Sequence, residues 1–292
     1  MTASVIRDYW TLTKPRVVLL MLITAWVGML LAMPGGIAWA PFCWGTLGIG
    51  LTAGASAVIN HLVEQQIDMR MRRTQNRPVA SGRVNATQAI TFAIVLATVG
   101  LSTLFFMVNT LTCWLTALTM IGYAFIYTLL LKKASPQNIV IGGLAGALPP
   151  LLGWTSVTGQ VDANSWLLVL IIFTWTPPHF WALAINRRID YEKSGLPMLP
   201  VTHGVPFTKL SILLYTLLLF PVTLLPYLTG LFGLIYAVGA TLLNTLYLWS
   251  VIRIFLYEEN KAALDSFFFS IVYLFLLFIL MIWDHFYQWV LI

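Results

Sequence analysis

The sequence predicts an all-α, polytopic membrane protein: nine transmembrane helices around a central cavity open to the cytoplasmic side. Three observations lead there. The 292 residues are 59% hydrophobic and only 9% charged, a balance that no soluble domain of this length carries. The apolar residues fall in continuous runs of about 20, long enough to cross a bilayer as helix, and they do not alternate as barrel strands do. All 16 Lys and Arg residues fall in alternate connections between those runs.

The runs lie at roughly 17–34, 41–61, 87–107, 110–131, 138–157, 165–185, 209–229, 232–252 and 266–283. The first is too long for a signal peptide and has no small-residue cleavage site, so none is expected. The second ends in a dense polar motif. The third and fourth are joined by almost a direct turn. The fifth carries Pro149-Pro150, and its Gly142, Gly143, Gly146 and Gly153 form a small-residue face suited to close helix packing. The sixth contains Pro177-Pro178, which interrupts the run and frees backbone groups at membrane depth. The seventh, eighth and ninth read as plain apolar spans.

Basic residues set the orientation. The N-terminal segment holds Arg7, Lys14 and Arg16, and the second connection holds Arg70, Arg72, Arg73, Arg77 and Arg83. The fourth, sixth and eighth connections hold the rest. The positive-inside rule puts the N-terminus in the cytoplasm and the C-terminus on the opposite side. The net charge of +6 reflects this topology and a phosphate site; no nucleic-acid partner is expected. Cys43 and Cys113 lack metal-ligand spacing and read as buried small residues.

Function concentrates in the two long cytoplasmic connections. After the second run comes Asn60-x3-Glu64-x3-Asp68, followed by arginines; after the sixth comes Asn186-x3-Asp190, with Arg187 and Arg188 beside it. The echo suggests one domain over residues 1–292, with pseudo-repeat halves at about 13–133 and 134–256 and a ninth helix at 266–283. Alternatively, Asn186 simply ends a helix.

On a helix, i, i+4 and i+8 rotate by only about 80°, so Asn60, Glu64 and Asp68 would share one face. Hard oxygen ligands of this kind suit Mg²⁺, which one or two carboxylates usually hold together with substrate phosphates. Asp190 would complete the set from the other half. Arg72, Arg77 and Lys132 would bind phosphate oxygens. The competing account is a juxtamembrane salt-bridge cluster. Tyr123 and Tyr127, one turn apart before Lys132, present an aromatic face that would stabilise a nearby cation. His179 lies beside the Pro177-Pro178 pair and about two turns before Asp190, either facing substrate or hydrogen-bonded in the core.

These residues resemble a known family. The matching pieces are Thr13-Lys14-Pro15-Arg16; Asn60-x3-Glu64-x3-Asp68-x3-Arg72-x-Thr74-x-Asn76-Arg77-Pro78; Tyr127-Thr128 then Lys132; Asn138-x3-Gly142-Gly143-x2-Gly146-Ala147-x-Pro149-Pro150-x2-Gly153; and Trp175-x2-Pro178-His179-x8-Arg188-x-Asp190-Tyr191-x5-Pro197-Met198-Leu199-Pro200. In this order they resemble the protohaem IX farnesyltransferases, a branch of the intramembrane prenyltransferases. The resemblance implies a bacterial inner-membrane enzyme that uses Mg²⁺ to transfer farnesyl from farnesyl diphosphate to haem B, giving haem O and diphosphate. It implies metal ligation by Asn60, Glu64, Asp68 and Asp190, and catalytic roles for Asp68, Asp190 and Tyr127. It implies substrate contacts from Arg72, Arg77, Lys132, Arg188, His179 and Tyr191, and partnership with haem A synthase or a terminal oxidase. Two positions depart from the wider superfamily: Glu64 stands where Asp is common, and Ser194 where a second Asp is expected. A prenyltransferase with a quinone-precursor or chlorophyll-like acceptor is the nearer rival. A cation transporter is the more distant one.

Overall fold

The computed structural model describes residues 3–33, 35–71, 74–124, 135–257 and 259–290. Among them every regular element is helical. In chain order these are α1 (Ala3–Leu12), α2 (Pro15–Leu31), α3 (Trp39–Val63), α4 (Gln65–Arg70), α5 (Ala86–Met107), α6 (Thr110–Ile121), α7 (Asn138–Ala147) and α8 (Pro149–Thr158). Then come α9 (Ala163–Asn186), α10 (Arg188–Ser194), α11 (Leu199–Thr202), α12 (Gly204–Leu228), α13 (Leu234–Leu256) and α14 (Glu259–Val290).

Seven helical stretches are long and apolar enough to cross a membrane, and α1 with α2, bent by 47° at their junction, makes an eighth as one span. The predicted run at 110–131 appears as an apolar helix over Thr110–Ala124; its remainder lies outside the described residues. Pro149 opens α8 at its first turn, so the fifth run is two helices. The sixth run behaves differently. α9 passes through Pro177 and Pro178 without ending, because loss of two N–H donors weakens a helix but packing on the surrounding turns holds it.

The chain forms two compact units. The first comprises α1 to α6 and α8. There α3 packs along α5, and α2 lies along α8. Trp26 Nε1 donates to Thr46 Oγ1 at 2.9 Å, tying α2 to α3. Asn109 caps α6 through the Thr112 N–H and donates to the Thr155 carbonyl at 2.9 Å, which fixes α6 to α8. The α2–α8 contact depends on glycine. A Cβ on Gly28 would lie 2.0 Å from the Pro150 carbonyl oxygen, and one on Gly153 would lie 2.0 Å from that of Ala25.

The second unit comprises α7 and α9 to α14. α9 packs against α7, α12 and α14, and α13 packs against α12 and α14. Polar side chains join these helices in the apolar interior. Tyr273 donates to Asn244 Oδ1 at 2.7 Å, Asn244 donates to Thr223 Oγ1 at 2.7 Å, and Tyr236 donates to the Thr223 carbonyl at 2.7 Å. The buried Asp284 carboxylate accepts the N–H groups of Gly233 and Tyr236 and so caps the start of α13.

Replacing Gly153 by Ala is expected to lower the thermal midpoint of the detergent-purified protein, costing about 1–3 kcal/mol through overpacking. Gly146→Ala, where an added Cβ meets nothing within 4 Å, is expected to leave the midpoint unchanged. Equal midpoints for the two variants would contradict the close approach of α2 and α8.

Candidate active site

The polar motif closes the long helix of the first unit. The single continuous helix expected over Asn60, Glu64 and Asp68 is instead a joint: α3 stops at Val63, Glu64 turns with φ −87° and ψ 0°, and α4 follows. The near-zero ψ ends the regular helix but keeps its hydrogen bonding. The Glu64 N–H donates to the Asn60 carbonyl at 3.0 Å, and the Asp68 N–H to that of Glu64 at 2.8 Å. The three side chains therefore still follow one another at single-turn intervals. All are buried, with 2%, 7% and 2% exposure.

Two unpaired carboxylates in such surroundings would cost several kcal/mol. The fold supplies their partners. Arg77 Nη1 reaches both oxygens of Asp68, at 2.8 and 2.7 Å, and stands 3.6 Å from Glu64 Oε2. Asn60 Nδ2 donates to Glu64 Oε1 at 2.8 Å, while Lys14 Nζ donates to Asn60 Oδ1. One cation thus holds each end of the row.

Arg77 arrives through a loop with its own small core. Leu12 of α1, Val58 of α3, Val79 and Val84 of the loop, and Ala89 and Ala93 of α5 bury one another. Thr74 Oγ1 donates to the Asp68 carbonyl at 3.1 Å. Arg83 bonds the Asn76 carbonyl and pairs with Asp8 at 3.1 Å. Lys14 arrives by an unusual backbone. It is the only non-glycine residue among those described with positive φ, at +48°. Pro15 follows it and disfavours the right-handed helical region at Lys14. The left-handed alternative costs about 1–2 kcal/mol, and it directs the chain into α2 at the bend.

Of the residues singled out from sequence, Asn60, Glu64, Asp68 and Arg77 come together. Arg72, Tyr127 and Lys132 lie outside the described residues. Asp190, Arg188 and Tyr191 belong to the second unit, on the short helix α10. The Asp190 side chain is 58% exposed and 3.8 Å from Arg187 Nη1, Arg188 is exposed, and Tyr191 is partly buried. His179, also in the second unit, is buried between Trp175 and Phe267 at centroid distances of 4.2 and 4.5 Å, with Nδ1 2.6 Å from Ser270 Oγ. Sequence reasoning used Lys14 for orientation and for the resemblance but gave it no contact in the site. The available signal was a Lys-Pro step heading an apolar run.

The donor set fits a hard divalent cation. It offers carboxylate and amide oxygens, buried and one turn apart. No three His, Cys, Asp or Glu side chains gather into a cage among the described residues. Mg²⁺ needs no such cage when substrate phosphates supply further ligands.

Comparison with known proteins identifies the family. The profile of the UbiA prenyltransferase family matches residues 21–279. This chain belongs to that family. Proteins named protohaem IX farnesyltransferase are similar over nearly the full length. That of Marinobacter nauticus is 57% identical over 96% of this chain and 93% of its own. That of Hahella chejuensis is 56% identical over 96% and 94%. Among solved structures, a digeranylgeranylglyceryl phosphate synthase has a TM-score of 0.81 at 18% identity, covering 96% of this chain and 98% of its own. A UbiA homologue from Archaeoglobus fulgidus, bound to GPP and Mg²⁺, has a TM-score of 0.63 at 15% identity, covering 94% and 99%. The structural likenesses show the UbiA-like fold.

Arg77→Ala is expected to destabilise the protein by up to about 3 kcal/mol, because it leaves a buried carboxylate without its cation. The partial exposure of Arg77 reduces that figure. Adding Asp68→Asn to Arg77→Ala is expected to recover part of the loss. Denaturation of the single and double variants in detergent checks this; no recovery would mean the ion pair is not the cause.

Proposed function

We propose that this chain transfers the farnesyl group of farnesyl diphosphate to a vinyl group of haem B, giving haem O and diphosphate. The observation that carries the reading is the buried Asn60–Glu64–Asp68 row with Lys14 and Arg77 at its ends, in a chain more than half identical to proteins named for this reaction. Asn60, Glu64 and Asp68, with Asp190, would hold Mg²⁺, whose charge would neutralise the departing diphosphate. The homologue bound to GPP and Mg²⁺ supports that choice of ion.

Arg77 and Lys14 each hold an oxygen of the row and present donors suited to phosphate. On substrate arrival they exchange these partners for diphosphate oxygens. The bond between farnesyl C1 and its oxygen breaks, and the electron pair leaves with diphosphate. Vinyl π-electrons form the new carbon–carbon bond to C1. Water adds to the cation left on the haem side and loses a proton, leaving the hydroxyl. Apolar walls keep water from the farnesyl cation. In this reading Arg72 and Lys132 assist the diphosphate and Tyr127 faces the cation. Arg188, Tyr191 and His179 contact substrate, and Ser270 at Nδ1 of His179 leaves Nε2 for that role.

The same reading assigns the whole chain to one domain of two pseudo-repeat halves, with nine spans enclosing a cavity open to the cytoplasm. It places the protein in the bacterial inner membrane, N-terminus cytoplasmic and C-terminus opposite, supplying haem O to haem A synthase or a terminal oxidase. Alternate placement of basic residues supports the orientation.

Purified protein given farnesyl diphosphate with either haem B or 4-hydroxybenzoate is expected to yield product only from haem B, read by mass analysis. Product from the benzoate alone would overturn the acceptor. Asp68→Asn and Glu64→Gln are each expected to lower turnover by orders of magnitude while the protein still inserts. Normal haem O yield from either variant would contradict the metal assignment.

A further inference from the structure

His61 follows Asn60 and lies just under one turn before Glu64. It is 2% exposed, and neither ring nitrogen has a hydrogen-bond partner among the described residues. Buried polar groups are hydrogen-bonded in the great majority of cases, and an unmet one calls for an explanation. An imidazole carries at least one N–H in every protonation state. The oxygens of the adjoining row are held by other donors: Lys14 holds Asn60 Oδ1, Asn60 holds Glu64 Oε1, and Arg77 holds both oxygens of Asp68.

The charged groups acting on His61 are Lys14, Arg77 and Glu64. Two of the three are cations, and both sit at the ends of the oxygen row. An acceptor entering here from outside the protein therefore meets positive charge and an unused N–H together. An anionic oxygen satisfies both. We infer that His61 donates a hydrogen bond to a non-bridging oxygen of the prenyl diphosphate, beside Lys14 and Arg77, and is a substrate-binding residue of this site. The inference rests on the diphosphate reading above and deepens it.

The test compares His61→Leu, which removes the donor but fills the space, with His61→Asn, which keeps N–H groups. The probe is inorganic diphosphate with Mg²⁺, titrated calorimetrically into the full-length protein in detergent. Michaelis constants for farnesyl diphosphate are measured alongside. The Leu variant is expected to bind inorganic diphosphate about tenfold more weakly and to raise KM to match, with kcat changed far less. The Asn variant is expected to retain most of the affinity. The ligand-free thermal midpoint of the Leu variant is expected to equal or exceed that of the wild type, because no buried polar group is then left unmet. Wild-type diphosphate affinity in the Leu variant would overturn the inference and leave the proposed function standing. Equal losses in both variants, with a lowered ligand-free midpoint, would also overturn it by assigning His61 to packing. Failure of the wild type to bind inorganic diphosphate at all would sink both the inference and the reading beneath it.

Discussion

The molecule is organised around a burial problem. Two carboxylates sit at the end of an apolar helix, almost sealed from solvent, where charge is expensive. Lys14 and Arg77 make that tolerable, one at each end of the Asn60–Glu64–Asp68 row. Much of the first unit serves to deliver these two cations. The bend between α1 and α2 sets Lys14, and the apolar cluster of Leu12, Val58, Val79 and Val84 sets the loop that carries Arg77. A buried ion network of this kind is weak evidence for stability, since apolar residues in its place would often do as well. On the proposed function, its presence follows from chemistry that requires oxygen ligands and cations together.

The two units treat buried polarity differently. In the first, charge opposes charge, and Lys14 and Arg77 hold oxygens of the row. In the second, hydroxyls and an amide bond one another and backbone groups between α12, α13 and α14, and the Asp284 carboxylate accepts backbone N–H groups at the start of α13. Mutually satisfied groups hold helices in register. Paired charges can be redistributed when a polyanion enters. The close backbone contact at Gly28 and Gly153 ties α2 to α8 in the framework of the first unit.

Much of this was legible in the residues. Continuous apolar runs give the helices, Pro149 gives the break in the fifth, and the one-turn spacing of Asn60, Glu64 and Asp68 gives the oxygen row. Three features were not. The joint at Glu64 is a matter of one ψ angle, and its sequence neighbours carry no Gly or Pro to announce it. The role of Lys14 needs a left-handed backbone and a contact 46 positions along the chain. The persistence of α9 through Pro177 and Pro178 comes from tertiary packing overriding local propensity. The pairing of Arg77 with Asp68 was foreseen only in the competing account of a salt-bridge cluster, Arg77 being read otherwise as a phosphate ligand; what fixes it is a set of apolar contacts from four separate segments.

One consequence concerns how such a protein is made. Arg77 lies nine positions beyond Asp68, and Lys14 is synthesised well before either. Every charge needed to offset the acidic row is thus in hand before α5 has left the ribosome. A nascent chain can deliver this stretch to the translocon with a cation already at hand for each carboxylate, and none waits on a distant rescuer.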